Sequence, residues 1–131
     1  MVTLCIRLLY MTLAWSVAAA APILPLGNPP RPAEELQSYK TSWYGPRFQG
    51  RLTANGEVFD MNELTAAHRE MPFGTRLLVT CPKNGRSVLV RVNDRGPFIP
   101  GRDLDLSLAA ARRLGIERQG LAWVHMEPVA N

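Results

Sequence analysis

Asn93-Asp94-Arg95-Gly96-Pro97 places a carboxylate and a guanidinium side by side at the end of a strand-like run, Ser87–Val92. Gly96 and Pro97 then force the chain to turn. Upstream stand a second carboxylate, Glu57, in Thr53-Ala54-Asn55-Gly56-Glu57, and a histidine, His68, in Thr65-Ala66-Ala67-His68. Each sits in or beside turn chemistry. Titratable groups held at the ends of short elements suit acid–base work on a sugar or ester bond.

The elements that must hold these groups read as short strands. Ser38–Tyr44 alternates as a first strand, and Arg76–Cys81 is a second, stopped by Pro82. Asn84-Gly85 is a hairpin signal leading into Ser87–Val92. Leu121–Glu127 closes the pattern before Pro128. Ser107 is placed to cap a helix Leu108–Leu114, with Gly115 at its stop. A second helical turn is expected around Met61–Ala67, and Asp103 and Asp105 are expected to brace the turn before the helix. The fold class is mainly β. So many short strands should close into a barrel, which removes exposed edges.

This domain is expected to occupy residues 38–129, behind two other segments. Residues 1–20 read as a secretory signal: Arg7 is their one charge, and the apolar run Leu8–Ala20 is 13 residues long. A bilayer span needs about 18 or more. Ala18-Ala19-Ala20 suits cleavage, giving a protein without a membrane anchor, periplasmic or secreted. Residues 21–37 read as a linker, with five of the chain's eleven prolines. Cys5 would leave with the signal, so Cys81 would have no disulfide partner within the mature chain and should pack as a small apolar residue.

Charge and composition exclude several partners. Net charge is +4, and 13 of the 15 basic residues are Arg, yet there is no basic run and no aromatic platform for nucleic acid. Two histidines and one mature cysteine argue against a dedicated metal site, and no cofactor motif is present. Forked Arg contacts suit an anionic polymer such as a wall glycan. Trp43, Tyr44 and Phe98 are candidates for a groove floor that stacks on sugars, with Phe48, Phe59, Phe73 and Trp123 assigned to the core. Thr53, Asn55 and Arg95 could donate to glycan hydroxyl or N-acetyl groups, whereas His125 reads as structural.

The ordered set Ser42-Trp43-Tyr44-Gly45, Gly50–Phe59, Leu64–His68, Pro72-Phe73-Gly74-Thr75, Asn84-Gly85-Arg86-Ser87, Val90–Phe98 and Asp103–Ser107 resembles the rare lipoprotein A (RlpA) family from about Ser38 to Pro128. The resemblance implies a six-stranded double-psi β-barrel with one or two short helices. It implies a monomeric lytic transglycosylase that needs no cofactor and cuts peptidoglycan strands, preferably those stripped of stem peptides. The family's functional acid after Asn-Gly falls on Glu57, its histidine on His68, and the aspartate of its Asp-Arg-Gly-Pro on Asp94. On this reading Asp94 is the general acid/base. Glu57 either stabilises the positive sugar ring or shares the proton, and the two assignments could be reversed. Arg95 should point away from an acid that must hold a proton. The family's usual Phe-His-Gly is Phe48-Gln49-Gly50 here, its lipidation cysteine is missing at the cleavage site, and its C-terminal peptidoglycan-binding repeat does not follow. Two other functions share this barrel: a non-catalytic wall-binding module like the expansins, and a hydrolase with two carboxylates.

Overall fold

The computed structural model describes residues 36–130. The expected signal segment, and all of the expected linker except its last two residues, lie outside the described residues. Six strands form a closed barrel: β1 (Tyr39–Tyr44), β2 (Thr65–His68), β3 (Arg76–Cys81), β4 (Arg86–Asp94), β5 (Leu104–Ser107) and β6 (Ala122–Val129). Around the barrel the order is β1-β5-β2-β4-β3-β6. β1 with β5 and β2 with β4 are parallel pairs, and the other contacts are antiparallel. One helix, α1 (Leu108–Leu114), follows β5 directly.

Alternation builds the core. Leu77, Val79 and Cys81 of β3, Val88, Val90 and Val92 of β4, and Leu104 and Leu106 of β5 are all buried, and Leu114 and Ile116 close one side. Ser107 caps α1 by accepting from the Ala110 N–H. Gly115 ends it at φ +77°, where an added Cβ would meet the Arg86 guanidinium at 2.9 Å and the Asn84 amide at 3.1 Å. That Asn84 amide donates to the Leu114 carbonyl at 2.9 Å, tying the β3–β4 turn to the helix end.

Four expectations need correction. Met61–Ala67 holds no helical turn; its last three residues begin β2, which is paired on both sides by β4 and β5. Helix-favouring alanines are overridden there by two ladders. Asp103–Ser107 contains a strand, β5, instead of a braced turn alone. β6 continues through Pro128, which pairs with Leu77. Its other neighbour, β1, pairs only with residues 122–124, so the proline sits where that side needs no N–H. Among the aromatic residues assigned to the core only Phe59 is buried; Phe48, Phe73 and Trp123 are 39%, 41% and 58% exposed.

Candidate active site

The loop between β1 and β2 folds over the C-terminal end of β4. Leu52 and Val58 form an isolated bridge, the Thr53 N–H donates to the Glu57 carbonyl at 2.7 Å, and Gly56 turns at φ +89°. The Thr53 hydroxyl donates to Asn55 Oδ1 at 2.6 Å, and the Asn55 amide donates to Glu57 Oε1 at 3.0 Å. Two bonds dock this loop on β4: the Asn55 N–H to the Asn93 carbonyl at 3.3 Å, and the Ala54 N–H to Asp94 Oδ1 at 2.9 Å. Thr53 and Asn55 therefore shape the loop that carries Glu57.

Docking fixes Glu57 over the outward side chains of β4. Arg91 grips it with both nitrogens, at 2.6 and 2.9 Å, and the Asn93 amide donates at 3.2 Å. The Arg91 bonds, then those of Asn55 and Asn93, hold the Glu57 carboxyl down at about 2. This group is a carboxylate at neutral pH and has no proton to give. Its folded value lies below the unfolded one, so its stabilisation is present above about pH 4.5 and is lost as pH falls toward about 2. Glu57→Gln should lower the melting temperature by a few degrees at pH 7, about 1 kcal/mol because the ion pair is solvent-exposed. Melting curves of both proteins should converge between pH 4.5 and 2, and a difference independent of pH would contradict this account of the pair.

Asp94 is the last residue of β4 and is half-buried. A register shift between Ala66 and Ala67 places Asp94, not Asn93, opposite Ala67. Bulges of this kind re-aim a side chain next to a site. Asp94 Oδ1 accepts from the N–H groups of Ala54, at 2.9 Å, and Arg95, at 2.8 Å. Oδ2 has no hydrogen-bond partner among the described residues. Two backbone donors thus orient the carboxyl and leave one oxygen for a ligand.

A third carboxyl belongs to the same row. Ala67 also pairs with Asp105 of β5, and Asp105 pairs with Ser42 of β1. The row runs Ser42, Asp105, Ala67, Asp94, with the two aspartates two strand spacings, about 10 Å, apart along the backbone. Leu104 and Leu106 point into the core, so Asp105 points to the outer face. The Ser42 hydroxyl donates to Asp105 Oδ1 at 3.0 Å. Burial pushes the Asp105 carboxyl up to about 6, the Ser42 bond and Arg102 oppose the rise, and Asp94 adds to it. The Leu-Asp-Leu alternation at 104–106 was the sequence signal for this residue, and its reading as a turn brace missed it.

Tyr44 borders the same row. Its ring stacks on Phe59 at 4.5 Å and meets Phe48 edge-on at 5.7 Å. Its hydroxyl is buried without a partner, and burial, then Asp94 and Asp105, make it harder to ionise. The hydroxyl is a donor waiting beside two carboxyls. Trp43 packs against the core and donates its indole N–H to the Glu117 carbonyl at 3.1 Å. Phe98 is 77% exposed on the segment that follows Asp94.

His68 is turned away from the carboxylates. Its Nδ1 accepts the N–H groups of Glu70 and Met71 at 3.1 and 3.0 Å. Burial, then the Arg69 charge, lowers its pKa. The charges that act on it are Arg69, Glu70, Arg95 and Asp103. Arg95 follows Asp94 in the chain, yet its guanidinium runs back to the carbonyls of Met71, at 2.9 Å, and His68, at 3.3 Å, and lies 3.8 Å over the Phe73 ring. Among the described residues no three His, Cys, Asp or Glu side chains gather as a metal would require.

Comparison with known proteins identifies the family. The lytic transglycolase family matches residues 37–126. A probable endolytic peptidoglycan transglycosylase RlpA of Synechocystis sp. is 60% identical over 88 residues, 67% of this chain and 27% of that protein. The endolytic peptidoglycan transglycosylase RlpA of Neisseria meningitidis is 53% identical over 97 residues, 74% of this chain and 41% of that protein. The chain thus spans well under half the length of these curated relatives. Among solved structures the apo expansin of Clavibacter michiganensis superposes with a TM-score of 0.58 at 26% identity, over 72% of this chain and 50% of that one. A closed six-stranded barrel, the ordered motifs and these matches place the chain in the lytic transglycolase family, among the rare lipoprotein A (RlpA) proteins.

Proposed function

We propose that this domain is a lytic transglycosylase that cuts peptidoglycan glycan strands and leaves 1,6-anhydro-muramyl ends. The observation that carries the reading is Asp94: a carboxyl oriented by two backbone N–H groups, with a free oxygen, one of those donors coming from the loop that carries the fixed anion of Glu57. Asp94 donates a proton to the glycosidic oxygen as the bond from C1 of the muramic sugar breaks. Positive charge grows on that ring, and the Glu57 carboxylate stabilises it. The sugar's own C6 hydroxyl then bonds to C1, and its proton returns to Asp94. No water is consumed.

An acid for this step must hold a proton near neutral pH. Burial raises the Asp105 carboxyl to about 6, with the Asp94 charge adding a smaller push. Asp105 is the carboxyl of this row that burial raises toward neutral pH, two strands from Asp94. Tyr44 borders the row, Phe98 offers an exposed face for a sugar, and Trp43 packs against the core. The family resemblance supports a preference for peptide-free strands, action in the periplasm as a monomer, and no need for a cofactor.

Incubation with amidase-stripped peptidoglycan, followed by mass spectrometry, tests the reading. Anhydro-muramyl fragments are the expected product. Reducing-end fragments would make the domain a hydrolase. Binding to the glycan with no fragment released would make it an expansin-like wall binder.

A further inference from the structure

We propose that His68 is a positioning residue whose Nδ1 serves as a hydrogen-bond acceptor for the turn at residues 69–71, and that this turn holds the Arg95 guanidinium on backbone carbonyls and away from the Asp94 carboxyl. The inference rests on the reading of Asp94 as the acid. It gives the histidine a task other than proton transfer.

The chain of contacts is continuous. Nδ1 accepts from two successive N–H groups, Glu70 at 3.1 Å and Met71 at 3.0 Å. A nitrogen that accepts carries no proton, so the ring is neutral with its hydrogen on Nε2. Burial and the neighbouring Arg69 and Arg95 charges favour that neutral form, against Glu70 and Asp103. The turn fixed in this way presents the carbonyls of His68 and Met71 to Arg95 Nη1, at 3.3 and 2.9 Å. Phe73 covers the guanidinium at 3.8 Å. Arg95 is bonded to Asp94 in the chain, and its backbone N–H already serves Asp94 Oδ1. Released from the turn, its guanidinium would be free to pair with the open Oδ2 and occupy the oxygen that the glycan must meet. Nδ1 is thus spent on the backbone.

Side-chain length separates this role from a catalytic one. The Oδ1 of asparagine sits where Nδ1 sits in histidine, and it accepts from the N–H groups two and three residues ahead, as in an Asx turn. Glutamine instead places its amide near the Nε2 position. With peptide-free glycan as substrate, His68→Asn should keep kcat within about threefold of wild type, since the turn retains its acceptor. His68→Ala and His68→Gln should each lose at least about tenfold in kcat with little change in KM, because the acid and not glycan binding is disturbed. An inactive but folded His68→Asn, or an active His68→Gln beside it, would overturn the proposal in favour of a ring that meets substrate through Nε2.

A second readout needs neither activity nor a variant. The nitrogen NMR spectrum of the wild-type imidazole at pH 7 should show the proton on Nε2 and an unprotonated Nδ1, and a proton on Nδ1 would overturn the proposal. This result stands even if the domain releases no anhydro sugar, so failure of the proposed function and failure of this inference are separately visible.

Discussion

Asp94→Asn should cut release of anhydro-muramyl fragments by at least about a hundredfold, the lower end of what a general acid–base group supplies, with little effect on stability. The case rests on what the substitution preserves. Asp94 Oδ1 accepts from the Ala54 and Arg95 N–H groups, and an amide oxygen accepts both bonds equally well. The loop bearing Glu57 stays docked, because its second anchor, the Asn55 N–H on the Asn93 carbonyl, is untouched. Only the free Oδ2 changes, from a group that can give and take a proton to an NH2 that can do neither. Product release measured beside a melting curve decides the matter. A variant that melts like wild type and still makes fragments at more than about a tenth of the normal rate would remove Asp94 from the acid's role and move the search to Asp105. A variant that melts much lower would instead show that the carboxylate charge holds the loop.

Glu57 and Asp94 were legible because turn chemistry marks them: Asn55-Gly56 and Gly96-Pro97 demand special backbone positions, and each carboxylate sits beside one. The strands β3 and β4 were legible because both alternate and a tight Asn-Gly turn joins them. β2 and β5 were not. Each is four residues long, each lies between two ladders, and their parallel partners are distant in sequence, as with Ser42 and Asp105. Parallel pairing leaves no local turn signal. Missing β5 meant missing that Asp105 shares a row with Asp94. The same blindness applies to Arg91: the Val90-Arg91-Val92 alternation shows that it faces outward, but only the folded loop shows that it grips Glu57. The partners of the His68 ring were hidden for a different reason. Its spacing says where the ring begins, and the two backbone N–H groups that capture it belong to the turn that follows.

Asp105→Asn should make the domain more stable and less active, a combination that separates a working carboxyl from a structural one. Folding raises the Asp105 carboxyl from 3.8 to about 6, so the ionised form is the one the fold disfavours. Below about pH 4 the group is protonated folded and unfolded, and it costs nothing. Between about pH 4 and 6 the unfolded chain ionises while the folded chain resists, and stability falls. Above about pH 6 the full penalty remains, at most about 3 kcal/mol. The amide variant never ionises, and its Oδ1 still accepts from the Ser42 hydroxyl. Its melting temperature should match wild type at pH 4 and exceed it by several degrees at pH 7 to 8. Fragment release should meanwhile fall at least about tenfold, as the row loses its second titrating group. Equal melting temperatures at pH 7.5 would mean that Asp105 ionises freely, and full activity would mean that the row needs only one acid. A gain in stability joined to a loss of turnover would have one physical cause: a carboxyl kept buried at a standing cost because the reaction uses it.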